Sequence, residues 1–247
     1  MNAIVCAVVA SLLFSVSGGA LAQGREPDPK FQIYLCFGQS NMEAGARPEA
    51  QDRGDVDPRF QMLAAVDMPR LNRTNGHWYV ATPPLNRQEN NLGPVDWFGR
   101  NLVANLPQDH RVGVINVSVA GAKIELWDED TCTNYLSNAA SWMQNICKQY
   151  DGNPYHRLVA MARIAQQDGV IQGILLHQGE SNPGDPQWCA KVKGIYDRLM
   201  SDLKIDPAHV PLLAGELVGA EEQGKCAAFN TVVLANLPKT VPNAHII

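Results

Sequence analysis

The 247-residue sequence has no excess of positive charge: 20 Lys and Arg stand against 25 Asp and Glu, for a net charge of −5. That balance excludes the basic footprint of a nucleic-acid-binding domain and any polybasic patch for an anionic membrane. No apolar run reaches the roughly 18 residues that a transmembrane helix needs. No two cysteines stand at zinc-ligand spacing, so neither a metal nor an organic cofactor is called for. The serine-enzyme pattern G-x-S-x-G is missing, as are internal repeats and low-complexity tracts. What remains is ordinary for one soluble α/β domain: 45% apolar and 18% charged residues over a length able to build a full core.

The first residues read as a separate object. Ile4 to Val16 is an apolar run, followed by Ser17-Gly18-Gly19 and Ala20-Leu21-Ala22. An apolar stretch of this length ending in A-x-A is a secretory leader, residues 1–22, cut before Gln23. Met1-Asn2-Ala3 adds no Lys or Arg to it. The expected location is secreted or periplasmic, with residues 23–247 as the mature domain. Loss of the leader removes Cys6 and leaves Cys36, Cys132, Cys147, Cys189 and Cys226. An odd number in an oxidising compartment implies a free thiol, and Cys36, inside an apolar strand, is the candidate. Cys132 with Cys147, and Cys189 with Cys226, are possible bridges, but connectivity is not fixed by sequence.

Strand and helix signals alternate along the mature chain. Strand-like runs occur at Phe31 to Phe37, Arg111 to Val119, Val170 to Leu176, Val210 to Leu217 and Ala244 to Ile247. Amphipathic stretches lie at Pro94 to Leu106, Tyr155 to Gln167, Pro186 to Leu203 and Glu221 to Leu237, with Asp185 as an N-cap. Alternation of this kind predicts parallel βαβ units with right-handed crossovers. The segment Glu43 to Gly93, rich in Pro, Asn, Arg and Gly, breaks the rhythm and is expected to be a long ordered loop near the site.

In parallel sheets, chemistry collects at the carboxyl ends of the strands. Three such ends are polar. Gly38-Gln39-Ser40-Asn41-Met42 follows the first run, and Gly38 permits a sharp turn that exposes Ser40 at the start of a short helix. Ser118-Val119-Ala120-Gly121-Ala122 follows the second, where small residues let an N–H approach a ligand, as an oxyanion hole requires. His177-Gln178-Gly179-Glu180-Ser181 follows the third. There Gln178 offers an amide to an oxyanion and Glu180 a carboxylate to orient a histidine base. Each motif also has a plain reading: Ser40 a helix cap, Gly121 a tight turn, Gln178 and Glu180 a polar loop. His177 reads as a strand end facing the sheet.

Taken with Lys123-Ile124-Glu125-Leu126-Trp127, the three blocks resemble those of the SGNH-type hydrolases. Within these they are similar to the sialate O-acetylesterase domain and to carbohydrate esterase family 6, with its acetylxylan esterases. The resemblance covers about Phe31 to Ile247. It implies a flavodoxin-like three-layer α/β/α fold around a parallel sheet of about five strands. It also implies Ser40 as nucleophile, with Ser40 N–H, Gly121 N–H and the Gln178 amide as the oxyanion hole. The family usually has Gly-Gly where this chain has Ala120-Gly121. It carries its catalytic His, usually with an Asp three residues before it, in a loop after the fifth strand. None of His77, His110, His156, His209 or His245 stands there, so the chain reads as a fragment with its last strand and final helix incomplete, lacking the C-terminal catalytic block.

The expected activity is a carbohydrate O-acetylesterase on acetylated, xylan-like polysaccharide or sugar, through an acetyl-serine. Trp78, Tyr79 and Trp127 are candidate sugar contacts, with Glu43 and Arg47 as weaker ones; the plain reading of each is ordinary packing. The alternative is a non-catalytic carbohydrate-binding or degenerate esterase-like domain. A lipase or peptidase of the same architecture is disfavoured, because Gln178-Gly179-Glu180 resembles the sugar-acetate branch.

Overall fold

The computed structural model describes residues 26–43 and 45–247, so the leader expected over residues 1–22 lies outside the described residues. In chain order the strands are β1 (Asp28–Gly38), β2 (Phe60–Leu63), β3 (Trp78–Val80), β4 (Arg111–Ser118), β5 (Gly169–His177), β6 (Leu212–Ala214) and β7 (Ala244–Ile246). The α-helices are α1 (Ser40–Glu43), α2 (Ala50–Arg53), α3 (Pro94–Asn105), α4 (Glu129–Ser137), α5 (Ser141–Lys148), α6 (Pro154–Ala165), α7 (Trp188–Leu203), α8 (Ala228–Val232) and α9 (Leu237–Thr240). Among the described residues no helix is long and apolar enough to cross a membrane.

The strands form one sheet in the order β3-β2-β4-β1-β5-β6-β7, parallel throughout except for the β2–β3 pair. The five strands expected from sequence are β4-β1-β5-β6-β7. Numbered among themselves in chain order they run 2-1-3-4-5, the flavodoxin-like arrangement. The other two come from the segment expected to be a loop: β2 joins β4 in parallel and turns back through β3. These strands are only four and three residues long, too short to leave a period in the sequence.

β1 is central and covered on both faces, hence its nearly unbroken apolar run. Successive side chains alternate between faces. Tyr34 meets Phe98 of α3 edge-on at 5.0 Å on one face, while Phe37 packs on Trp127 at 5.1 Å on the other. Each such aromatic, fully buried, contributes about 2–3 kcal/mol relative to exposure. Gly99 of α3 lies against the Phe60 ring, where a Cβ would come within 2.0 Å. The helix starts are chemically marked. Pro94 and Pro154 occupy first-turn positions, and Asn153 accepts the His156 N–H at 3.0 Å to cap α6.

Three expectations are revised. The helix expected over Glu221 to Leu237 is broken into α8, short 3₁₀ turns and the start of α9. α7 begins at Trp188, and Asp185 caps the turn before it by accepting from Gln187 N–H at 2.9 Å. All five described cysteines are free thiols, so neither proposed bridge is present. Cys36 is fully buried, as expected for its strand position. Cys132 and Cys147 are buried on adjacent helices, and burial, reinforced by Cys132, pushes the Cys147 thiol up to about 12.

Candidate active site

In a 2-1-3-4-5 sheet the chain leaves neighbouring strands toward opposite sides at one point, and a crevice opens there. Here that point lies between β1 and β5. Gly38 is in register with Ser118 of β4 and with His177 of β5. A Cβ on Gly38 would sit 2.1 Å from the His177 carbonyl oxygen, so the strands can close only over a glycine. The Gln39 N–H then donates to that carbonyl at 3.0 Å, which ends β1 and starts α1. Ser40 follows, half-exposed, at the mouth of the crevice. Its hydroxyl and its N–H have no hydrogen-bond partner among the described residues.

Gly121 sits beside it because the Val119 N–H donates to the Gly38 carbonyl at 3.0 Å. It is exposed and has φ +67°, a conformation that favours glycine. Its carbonyl accepts from the Ser181 hydroxyl at 3.0 Å, while its N–H has no partner among the described residues. The hydroxyl and N–H of Ser40 and the N–H of Gly121 are thus unengaged among the described residues, just beyond the ends of the adjacent strands β1 and β4.

Gln178 is placed differently from the oxyanion donor expected. It is buried, and Trp188 Nε1–H donates to its Oε1. Indole nitrogen can only donate, so the amide orientation is fixed and Nε2 points the other way. There it meets Asn182 Oδ1 at 2.8 Å, Gln39 Oε1 at 3.1 Å and Ala122 O at 3.2 Å. Two amide protons facing three internal acceptors leave none for a substrate. Gln39, whose role sequence reasoning missed, is the hub of this network: its Oε1 also accepts from the Gly179 and Ser181 N–H groups at 3.4 and 3.2 Å. The available signal was its position, a buried amide next to the serine in the same motif.

Glu180 reaches the serine loop through Asn41, whose Nδ2 donates to Oε1 at 2.7 Å. Its second oxygen is buried and unpaired among the described residues. His177 is the described histidine within 4 Å of this carboxylate, with Nδ1 3.9 Å from Oε1. Its Nε2 lies 3.1 Å from the Glu216 carbonyl, which can only accept, so Nε2 carries the proton and Nδ1 is bare. Neither ring nitrogen is hydrogen-bonded to Ser40.

Beneath α1 lies a buried polar scaffold. Asn116 donates to the Met42 carbonyl at 3.0 Å, Ser118 Oγ donates to Asn116 Oδ1 at 2.6 Å, and Tyr150 donates to Asn86 Oδ1 at 2.6 Å. Burial raises the Tyr150 hydroxyl pKa, keeping it a donor. Glu43 pairs with Arg87, both buried, which makes Glu43 a structural group rather than a sugar contact. On the other side, Asn182 donates to Glu125 at 3.1 Å, and Lys191 binds Glu125 and Asp185 at 2.7 and 2.6 Å. Burial opposes ionisation of both carboxylates, yet the Lys191 hydrogen bonds prevail and hold them below their ordinary values.

Trp78 and Trp127, two of the expected sugar contacts, present no free ring face at this crevice. Trp78 packs on Phe31 at 4.7 Å and donates to Asp168 at 2.9 Å, at the opposite ends of β1 and β5. Seven residues of strand, about 23 Å, separate Phe31 from Gly38. Tyr79 is on the outermost strand, its hydroxyl accepting from Thr74 N–H at 2.7 Å. Trp127 is fully buried against Phe37. Arg47 is exposed. The aromatic that does reach the crevice is Trp142 of α5, half-exposed, with its ring edge against Gly121. No helix was expected over this stretch, although its apolar residues recur at helical spacing. Among the described residues no group of three His, Cys, Asp or Glu is placed to hold a metal ion.

Comparison with known proteins agrees with this architecture. A family model described as carbohydrate esterase, sialic acid-specific acetylesterase, matches residues 30–247. Among solved structures, a protein from Arabidopsis thaliana is similar at 16% identity and TM-score 0.62, over 89% of this chain and 85% of that one. NanS is similar at 16% identity and TM-score 0.62, over 90% and 78%. A carbohydrate acetylesterase from Xanthomonas citri is similar at 18% identity and TM-score 0.57, over 87% of this chain but only 49% of that one. These structural likenesses concern the fold, whereas the family match spans nearly every described residue: the chain belongs to the carbohydrate esterase family of sialic acid-specific acetylesterases and is a carboxylic ester hydrolase.

Proposed function

We propose that residues 23–247 act as a serine-dependent O-acetylesterase on an acetylated carbohydrate, either xylan-like polysaccharide or a free sugar, outside the cytoplasm. The observation that supports this reading is that Ser40 is half-exposed at the end of β1 with its hydroxyl and N–H unengaged among the described residues, as is the Gly121 N–H. The leader expected over residues 1–22 supports export.

Ser40 Oγ attacks the acetyl carbonyl carbon, and the carbonyl π electrons move onto oxygen. Two preorganised N–H donors then stabilise the oxyanion; removal of one such donor typically costs about 10²–10³ in rate. Collapse expels the sugar oxygen, which leaves with a proton, and acetyl-Ser40 remains. Water attacks the acyl carbon, and acetate departs with Ser40 regenerated. The serine proton passes to a general base, a part for which no described histidine is hydrogen-bonded to Ser40; Glu180 is suited to orient that base through its unpaired oxygen, while Asn41 fixes the carboxylate against the serine loop. Gln178 supports the crevice from below and is reassigned from donor to positioning residue.

The test is hydrolysis of acetylated xylo-oligosaccharides and of O-acetylated sialic acid by wild type and Ser40→Ala. Loss of about 10⁴-fold or more in kcat in the variant supports the reading. Binding of sugar by both proteins without hydrolysis by either supports the binding-domain alternative instead.

A further inference from the structure

The family assignment implies an acetylated carbohydrate substrate, but Trp78 and Trp127, two aromatics expected from sequence to hold the sugar, are engaged elsewhere. We propose that Trp142 is the platform on which the acetyl-bearing pyranose ring stacks. This inference rests on the esterase reading and extends it to the leaving-group side of the same crevice.

The argument begins with the tryptophans. There are five, and four are already engaged. Trp127 and Trp188 are fully buried, the latter donating to Gln178. Trp78 is spent on Phe31 and Asp168. Trp97 is 46% exposed, but the Arg100 guanidinium lies over its ring at 5.5 Å. Trp142 is 50% exposed, and among the described residues it has neither a ring partner, a cation over its face nor a hydrogen bond. A half-exposed indole without a partner leaves apolar area in water that folding does not recover.

Its location decides what that area is for. A Cβ built on Gly121 would meet Trp142 Cη2 at 2.9 Å and Cζ2 at 3.6 Å, so the six-membered ring edge lies against the Gly121 backbone. In the esterase reading the Gly121 N–H is a donor to the acetyl carbonyl oxygen, so a ring lying against the Gly121 backbone stands beside the reacting ester. Glycine at 121 has two consequences: it permits φ +67°, and it leaves the space above the N–H open up to the indole. Met143 Cε, buried, lies 3.6 Å from the same point. The pyranose C–H face is apolar and flat, its hydroxyls lying at the rim, and an indole face is its natural complement. Beside the platform, the Ser181 hydroxyl is directed to the Gly121 carbonyl and fixes the loop in this position.

Trp142 is thus a specificity-determining residue: it selects acetyl esters whose alcohol is a sugar, and it is not required for attack on the acetyl group. The experiment compares Trp142→Ala and Trp142→Phe with wild type on two esters, ethyl acetate and an acetylated xylo-oligosaccharide, with Ser40→Ala as the blank. In Trp142→Ala the kcat/KM for the sugar ester falls roughly tenfold or more, mainly through KM, while ethyl acetate hydrolysis is unchanged. Trp142→Phe keeps most of the sugar preference. An unchanged ratio of the two kcat/KM values overturns the proposal. So does an equal loss on both esters, because that outcome makes Trp142 a mere support for Gly121. If wild type hydrolyses neither ester, the esterase reading has failed, and calorimetric binding of the oligosaccharide decides the inference by itself. Binding lost in Trp142→Ala sustains the platform; equal binding, or no binding by wild type, refutes it.

Discussion

Gln178→Leu separates two roles for one buried amide. If the structural assignment is right, the substitution removes groups that only the protein interior uses. Trp188 Nε1–H, fully buried, loses its acceptor, and Ala122 O loses the Nε2 donor 3.2 Å away. Gln39 Oε1 and Asn182 Oδ1 also lose this donor but keep others, from the Gly179, Ser181 and Ile124 N–H groups. Two orphaned buried groups at about 1–3 kcal/mol each, partly relieved by the apolar leucine, give a loss of about 3 kcal/mol. For a chain of this size that lowers Tm by roughly 6–12 °C. Well below the new Tm, kcat/KM should stay within about tenfold of wild type, since no group touching substrate has gone. The assay is thermal unfolding paired with initial rates on an acetyl ester at low temperature. An unchanged Tm with a rate loss of about 10²–10³ would refute the reasoning and return Gln178 to the oxyanion hole.

Two further substitutions probe the neighbouring groups. Gly121→Ala places a Cβ in a left-handed conformation and 2.9 Å from the Trp142 ring; it should cost about 1–2 kcal/mol of stability and at least roughly tenfold in kcat/KM on ethyl acetate, and full activity would remove Gly121 from the site. Lys191→Met removes the cation that keeps Glu125 and Asp185 below the ordinary carboxylate values. Depressed carboxylates stabilise the fold above their unfolded values and lose that contribution as the pH falls through the folded ones, so wild-type Tm should fall in acid below about pH 4–5. Lys191 is itself raised from 10.5, so its share persists below that value and is lost as the pH rises beyond it. The variant should show a shallower acid limb, and parallel limbs for the two proteins would show that the cluster does not govern acid stability.

The sheet was largely legible before the fold because long parallel strands buried on both faces write themselves as apolar runs. β1, β4 and β5 are of that kind, and the polar motifs at their ends marked the crevice. The β2–β3 hairpin was not legible, being short and set in a proline-rich segment. The aromatics were misplaced for a related reason. Trp78, Trp127 and Trp142 are equivalent in sequence, and only long-range packing sends one to the far end of the sheet, buries another and leaves the third beside Gly121. The same holds for Gln178: the motif puts it at the end of β5, but which way its amide points depends on Trp188, ten residues away.

In the proposed mechanism Ser40 carries the acetyl group between sugar and water. The direct measurement is intact-mass and peptide mass spectrometry of the protein quenched in acid during turnover of an acetyl ester. One acetyl group on the peptide containing Ser40, formed within the first turnover, discharged by water and missing from Ser40→Ala, is the predicted result. Hydrolysis that proceeds without any acetyl-enzyme, or an acetyl group carried by another residue, would contradict it.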